Sequence, residues 1–386
     1  MIDSTGTSII EPGGSFASLA RRMVAPSPKP ISTSLRVRRE LRRVHALRAL
    51  VTRERNAIKT MKMPWRRRLS MWRRGFLGES DVIYGLSSKD SRLYLSDFRR
   101  SLVATLINFG PSNPVLTDKL MFYYAMKTVG GPTPRFYGLV DQVLTWVDPP
   151  PGFAPSEGVM GLLKPGHELV VKPVDGSGGR GVALISVDQG AVLVNGVERD
   201  AAHVAGLLVP GMMIQERVHQ AGYAARISPS TSNTIRVITM WDHARGEPFV
   251  GAAVHRFGTA RSAPVDSWSQ GGLSVAIDVE TGELGRGAAF PYSGELSWHA
   301  EHPDTGAPIE GTVVPGWDAI KQELLRLAGR LPRLYYIGWD VLAADEGFNL
   351  IEGNTLPDIN LLQVHGPLLA NARVAAFYRH HGVVAG

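Results

Sequence analysis

The chain has 386 residues, 44% hydrophobic and 20% charged, an ordinary globular composition with enough apolar content for a large core. It contains no cysteine, which excludes a disulfide scaffold, a thiolate zinc centre and a cysteine nucleophile. The net charge of +7 is unevenly spread: residues 1–76 hold 18 Lys and Arg against 4 Asp and Glu, and the rest hold 24 against 31, leaving a basic N-terminal segment on an acidic body.

Residues 1–34 are rich in Ser, Pro and Gly without sustained periodicity and read as a flexible tail. They lack a charged start followed by an apolar run, so no secretory leader is expected. No run of about 18 apolar residues occurs, so no membrane-spanning helix is expected either. The expected location is the cytoplasm, at most peripheral to a membrane.

From Leu35 the pattern turns helical, with Val37, Leu41, Val44, Leu47, Val51 and Ile58 on one period and arginines filling much of the rest. A second basic cluster, Arg66, Arg67, Arg68, Arg73 and Arg74, is interleaved with Trp65, Met71 and Trp72. Residues 35–80 thus form a basic helical arm, open to two readings. The arm packs on the body, its arginines solvated or paired with the acidic surplus, or it contacts a membrane surface or a protein. Nucleic acid is the weaker partner, because no recognition module follows.

Beyond residue 80 the composition becomes mixed α/β. Helices are expected over residues 96–108 and 117–128, the second capped by Thr117 or Asp118 and stopped by Pro132 and Pro134. The run Pro149-Pro150-Pro151-Gly152 marks a boundary, giving an N-terminal subdomain over 81–160 and a central one over 161–218. In the latter, Gly176, Gly178 and Gly181 satisfy the spacing of a dinucleotide fingerprint, but that motif must open a helix. Here residues 182–187 read as a strand, so the unit is strand, glycine loop, strand. A Walker A loop is excluded as well, since no Gly-Lys-Ser/Thr closes it. Gly176, Ser177, Gly178, Gly179 and Gly181 would form a flap whose backbone N–H groups approach phosphate, with Lys172 just before it reaching the same phosphates. The plainer reading of such a loop is a turn.

Residues 219–386 form the C-terminal subdomain, strand-rich with a helix near 318–330. Two apolar runs flank an Asp345-Glu346-Gly347 turn, which predicts a hairpin with Asp340 opposite Glu352 and Asn354 on the same face. Opposed carboxylates repel unless neutralised. Two acids and an amide offer hard oxygen donors that suit Mg²⁺. The alternative is that one acid caps a turn or meets an arginine.

A lysine before a glycine flap, followed by Asp-x₁₁-Glu-x-Asn, resembles the ATP-grasp superfamily, and the finer text resembles its sugar-transfer-associated branch. The resemblance is carried in order by Leu116-Thr-Asp-Lys119, Lys172 with its loop, Met213-Ile-Gln-Glu216, Ser232-Asn-Thr-Ile-Arg236-Val, Gln270-Gly-Gly, His302-Pro-Asp-Thr-Gly306 and Gly338-Trp-Asp340 through Gln363. It implies an α/β (α+β) ATP-grasp fold holding ATP between two mixed or antiparallel sheet subdomains. Lys119 and Lys172 match the lysines on ATP phosphates. Gln215, Glu216 and Val218 match the linker that hydrogen-bonds adenine, and Asp340, Glu352 and Asn354 match the magnesium ligands. Arg236 matches the arginine that steadies the transferring phosphate.

The activity so implied is that of an ATP- and magnesium-dependent ligase. It activates a carboxylate as an acyl phosphate and joins it to an amine or similar nucleophile, in polysaccharide or sugar-conjugate biosynthesis. A small-molecule kinase, or a nucleotide-binding scaffold acting through the basic arm, is the alternative. Lys119 as a solvated helix residue and Arg236 as the partner of a buried acid stay open, with Asp118 read as a cap. Where the branch leads one to expect Asp-Asn before Gly-Gly, the chain reads Asp266-Ser-Trp-Ser-Gln270, which leaves the acceptor undetermined. His255, Arg256, His302 and Asp358 are secondary candidates, His255 being equally a satisfied histidine in a sheet.

Overall fold

The computed structural model describes residues 33–61, 63–164, 166–175, 181–292 and 294–385. Two compact units divide the chain between His45 and Ala46. The first is described over residues 33–45, all helical, with an Arg43–Glu40 ion pair at 2.7 Å. The expected tail lies outside the described residues except for its last two positions, which already belong to the helix Thr33–Thr60.

In the second unit, the end of that helix is followed by the helices Trp65–Arg73 and Gly78–Tyr84. The open N-terminus of the latter leaves backbone donors that need partners. Glu54 accepts from the Gly78 N–H at 2.9 Å, and Asp97 from the Leu77 N–H at 2.9 Å. The other Glu54 oxygen pairs with Arg68, which is buried as Glu54 is. Met71, Phe76, Ile83 and Tyr84 share one core with Tyr336, Ile359 and Phe377. From residue 46 onward the expected arm packs on the body.

The expected helix over 96–108 is shorter than its pattern: Asp97–Leu102 is α-helical, and Ala104–Leu106 tightens to a 3₁₀ turn. Asn108 then leaves helical register because its side chain is tied to the backbone of Tyr335 and Tyr336. After the short helix Pro114–Thr117, the helix Lys119–Val129 starts at an N-cap: the Asp118 carboxylate accepts from the N–H groups of Leu120 and Met121 at 2.8 and 2.9 Å.

Two seven-stranded sheets, antiparallel throughout, follow. The first contains β1 (Phe136–Val140), β2 (Leu144–Trp146), β3 (Leu169–Pro173), β4 (Ala183–Asp188), β5 (Ala191–Val194), β6 (Val197–Glu198) and β7 (Met212–Glu216). Its spatial order is β2-β1-β7-β3-β4-β5-β6. Because β1 pairs with β7, this sheet runs from residue 136 to 216 and crosses the boundary expected near 160. The Pro149–Gly152 run is only part of the β2–β3 connection. Between β3 and β4 lies the glycine loop, in the strand–loop–strand order the sequence predicts.

The second sheet contains β8 (Ile235–Asp242), β9 (Glu247–Phe257), β10 (Leu273–Ile277), β11 (Leu284–Ala289), β12 (Ser297–His299), β13 (Tyr336–Ala343) and β14 (Phe348–Asn354). The order is β12-β11-β10-β9-β8-β13-β14. Every residue of β13 is buried. Its odd positions Ile337, Trp339 and Val341 join one core with Ile320, Leu324 and Leu327 from the amphipathic helix Trp317–Arg330. On the other face Tyr336 enters the core that holds Ile238, Met240 and Phe377, and further along that face come Gly338, Asp340 and Leu342. Glycine is needed at 338, where a Cβ would come within 2.6 Å of the Pro357 ring. The sheet thus buries apolar groups on both sides and places one carboxylate, Asp340, in a strand where little solvent reaches it.

Candidate active site

The Asp340 carboxylate lies in a row that crosses three strands. The register sets Arg236 of β8 opposite Asp340 of β13, and Asp340 opposite Glu352 of β14, as the hairpin pattern predicts. Asn354 pairs with Gly338, and its side-chain amide lies 3.4 Å from Asp340 Oδ1. A fourth member comes from β9: the Arg256 N–H donates to Thr234 O, which makes Arg256 a diagonal neighbour of Arg236 on the same face.

These groups satisfy one another closely. Arg236 grips Asp340 with two donors, Nε to Oδ1 and Nη2 to Oδ2, the second at 3.1 Å. Arg256 Nη2 donates to the same Oδ2 at 2.8 Å. Asp266 accepts from the backbone N–H and the hydroxyl of Thr234 at 2.8 and 2.6 Å and faces Arg256 Nε at 3.4 Å. Burial works to raise the Asp340 carboxyl pKa, but Arg236 and Arg256 overcome it and hold it below the usual range. Burial likewise opposes the charge on Arg256, and Asp266, Asp340 and Glu352 more than offset it. Arg236 is therefore the partner of a buried acid, and the repulsion expected between Asp340 and Glu352 is already relieved by protein cations.

Above this row the two sheets enclose a cavity of about 240 Å³. Lys172 on β3 enters it from the first sheet and Lys119 from the start of its helix. Lys119 Nζ lies 3.3 Å from Val174 O and 3.7 Å from Glu352 Oε2. Lys172 is 9% exposed. Burial lowers its ammonium pKa to about 8, against the pull of Glu352 and Asp340 and with a push from Lys119. Two residues along their strands from Lys172 and Asp340 come Val170 and Leu342, and Val182, Leu184, Val218 and Ile351 also line the cavity. Gln215 and Glu216 of β7 also line the cavity, their side chains tied to Pro134 O and to the Arg135 N–H, both at 3.3 Å. Gly181, with φ +74°, returns the chain from the loop into β4. Gly176, Ser177, Gly178 and Gly179 lie outside the described residues.

An apolar slot opening on a charged end has the polarity of a nucleoside triphosphate, a flat base at one side and phosphates at the other. Four cations, Lys119, Lys172, Arg236 and Arg256, face three carboxylates, Asp266, Asp340 and Glu352. The donor set also suits a hard divalent cation, since Asp340 and Glu352 stand opposite each other and Asn354, two residues on, carries a further amide oxygen. Among the described residues no cluster of three or more His, Cys, Asp or Glu side chains is placed to hold a metal, so such an ion relies on the asparagine and on ligands brought by the nucleotide.

The secondary candidates separate. Arg256 belongs to the site. His255, one position along β9, points the other way: it is fully buried, its ring stacks on Phe257 at 4.1 Å, and its nitrogens meet Tyr223 Oη at 2.9 Å and Arg256 O at 3.2 Å. Burial pushes its pKa down to about 3. His302 is equally occupied, with Nε2 on Gly258 O at 2.8 Å. Asp358 accepts from the Asn360 N–H at 3.2 Å and does not line the cavity. Thr234 and Asp266, which the sequence did not single out as ligands, organise Arg256. The prior signals were the place of Thr234 in the Ser232–Val237 segment and the departure from the branch's usual text that begins after Asp266.

Solved structures similar to the chain include an N5-carboxyaminoimidazole ribonucleotide synthetase from Thermotoga maritima, at 11% identity and TM-score 0.34, covering 64% of this chain and 43% of that one. A D-alanine-D-alanine ligase from Helicobacter pylori matches at 10% identity and TM-score 0.37, over 68% of this chain and 58% of that one. An L-amino acid ligase from Bacillus licheniformis matches at 12% identity and TM-score 0.34, over 63% and 41%. The chain spans about half the length of these structures, and likenesses so remote carry no functional weight. No curated protein sequence matches. The sequence model described as "Sugar-transfer associated ATP-grasp" matches residues 99–376, which include both sheets and every member of the charged row, so the chain belongs to the sugar-transfer associated ATP-grasp family.

Proposed function

We propose that the protein is an ADP-forming ligase that uses ATP and Mg²⁺ to activate a carboxylate as an acyl phosphate and couple it to an amine or similar nucleophile. The observation that carries this is the meeting of Lys172 from the first sheet and Lys119 from the start of its helix with the Arg236–Asp340–Glu352 row of the second sheet. In this reading the apolar slot takes the adenine, and the strand carrying Gln215 and Glu216, with Val218 beyond it, lies along its edge. Lys119 and Lys172 hold the phosphates. Asp340, Glu352 and Asn354 would hold Mg²⁺, which offsets phosphate charge when bound.

A substrate carboxylate oxygen attacks the γ-phosphorus, and the bond to the ADP oxygen breaks. The amine nitrogen then attacks the acyl carbon; the C–O bond to phosphate breaks, an amide forms, and the nitrogen's proton leaves with phosphate or solvent. The chain's own task is electrostatic. Negative charge shifts onto the transferring phosphoryl oxygens, and fixed cations stabilise it without reorganising. No side-chain nucleophile is called for, which agrees with a chain free of cysteine.

The test is nucleotide product analysis with Mg²⁺ across panels of carboxylates and amines, with uronic acids first because of the family's sugar-transfer association. ADP release that depends on both substrates is expected. AMP release would overturn the acyl-phosphate route, and ADP release with a hydroxyl acceptor and no amine would assign a kinase.

A further inference from the structure

We infer that residues 46–74 form a docking surface for an anionic lipid bilayer. This rests on neither the ligase reading nor the nucleotide site. The helix end and the helix Trp65–Arg73 enclose an apolar groove of about 800 Å³, lined among others by Ile58, Met61, Met63, Trp65, Leu69 and Trp72. Its rim is unusually open for aromatic residues: Trp65 is 69% exposed and Trp72 39%, with Ile58 at 52%. At about 100° per residue, Leu47, Val51 and Ile58 fall within roughly 40° of one another on the helix, and all three are exposed. Arg55, Arg48 and Lys59 occupy the next sector of the same surface.

Charge decides the occupant. Residues 46–74 contain ten Lys and Arg against a single acid, Glu54. That acid is buried and spent on Arg68 and the Gly78 N–H, so no carboxylate of this segment reaches the surface. Arg48, Arg55, Lys59, Arg73 and Arg74 are exposed and meet no carboxylate among the described residues. A second copy of the chain would bring the same positive surface against this one. A bilayer of anionic lipid offers the complement twice over, phosphates for the arginines and an interfacial zone for tryptophan. Among the described residues no helix is long and apolar enough to cross a membrane, so the contact lies on the surface.

The experiment is co-sedimentation of the full chain with vesicles of mixed phosphatidylglycerol and phosphatidylcholine, against pure phosphatidylcholine. Binding to the anionic vesicles that weakens with added salt is expected. Each exposed arginine near the surface contributes about fivefold to partitioning, so Arg66→Gln/Arg73→Gln/Arg74→Gln should lower it about 100-fold. Trp65→Ser/Trp72→Ser, on exposed side chains, should lower it independently and remove the blue shift of tryptophan emission on binding. Absence of sedimentation with anionic vesicles at low salt overturns the proposal, as does binding that survives both variants. Self-association lost in Trp65→Ser without vesicle binding would assign the groove to a second copy, and tighter binding to a DNA duplex than to vesicles would assign it to nucleic acid.

Discussion

Replacing Asp340 by asparagine tests whether the charged row is in place before any ligand arrives. Asp340 is 4% exposed and accepts three charge-assisted hydrogen bonds, two from Arg236 and one from Arg256. Hydrogen bonds to charged groups contribute about 1.5–3 kcal/mol each, but much of that offsets the desolvation of three ions. The variant keeps the side-chain volume, turns one acceptor oxygen into a donor that faces a guanidinium, and leaves two buried arginines short of a counter-charge. Removing one partner from such a cluster costs about 3–5 kcal/mol.

The assay is urea unfolding of the ligand-free protein at pH 7, where the native midpoint should fall with little change in slope. The pH dependence must agree. A carboxyl held below its unfolded pKa stabilises fully above that value and loses its contribution as pH falls through the folded pKa. The wild type should therefore lose its advantage over Asp340→Asn only in strong acid, below the usual carboxylate range. An unchanged midpoint at pH 7 would show that the arginines do not depend on Asp340, and would remove the reason for regarding the site as preassembled.

Two further expectations follow from the same region. Lys172 has an ammonium pKa lowered to about 8 by burial, and a bound triphosphate raises it, so nucleotide affinity should be full below pH 8 and decline as pH rises beyond it. Isothermal titration with a non-hydrolysable ATP analogue measures this, and Lys172→Met should bind more weakly and lose the decline. His255 stays neutral in the fold with a pKa near 3, so it penalises stability by about 1.4 kcal/mol for each pH unit below its unfolded value of about 6.5. His255→Gln should flatten the stability profile between pH 6 and roughly 4 while leaving nucleotide affinity unchanged.

What could be read from the sequence was mostly local. The Asp340–Glu352 register followed from alternation around a short turn, and the Asp118 cap from one residue before an apolar run, because each is decided within about a dozen residues. The pairing of β1 with β7 joins residues more than seventy apart, and nothing in the intervening text announces it. The Pro149–Gly152 run therefore looked like a boundary although it only spans a connection. Arg256 was obscured for a similar reason. Its neighbour His255 carries the more suggestive chemistry, and only the strand register shows that the arginine faces the cleft while the histidine faces the core.

Glu54 gives the charge asymmetry of the chain a different meaning. One carboxylate from the basic segment closes the N-terminus of the helix Gly78–Tyr84 and neutralises the buried Arg68, and that helix carries part of the core shared with Tyr336 and Phe377. The basic segment is thus structurally continuous with the fold beneath it. A recombination or truncation that falls between residues 54 and 78 would separate a helix from its cap. Exchanging a surface charge of this segment leaves that cap in place, whereas removing the segment opens the helix end and strips Arg68 of its counter-charge.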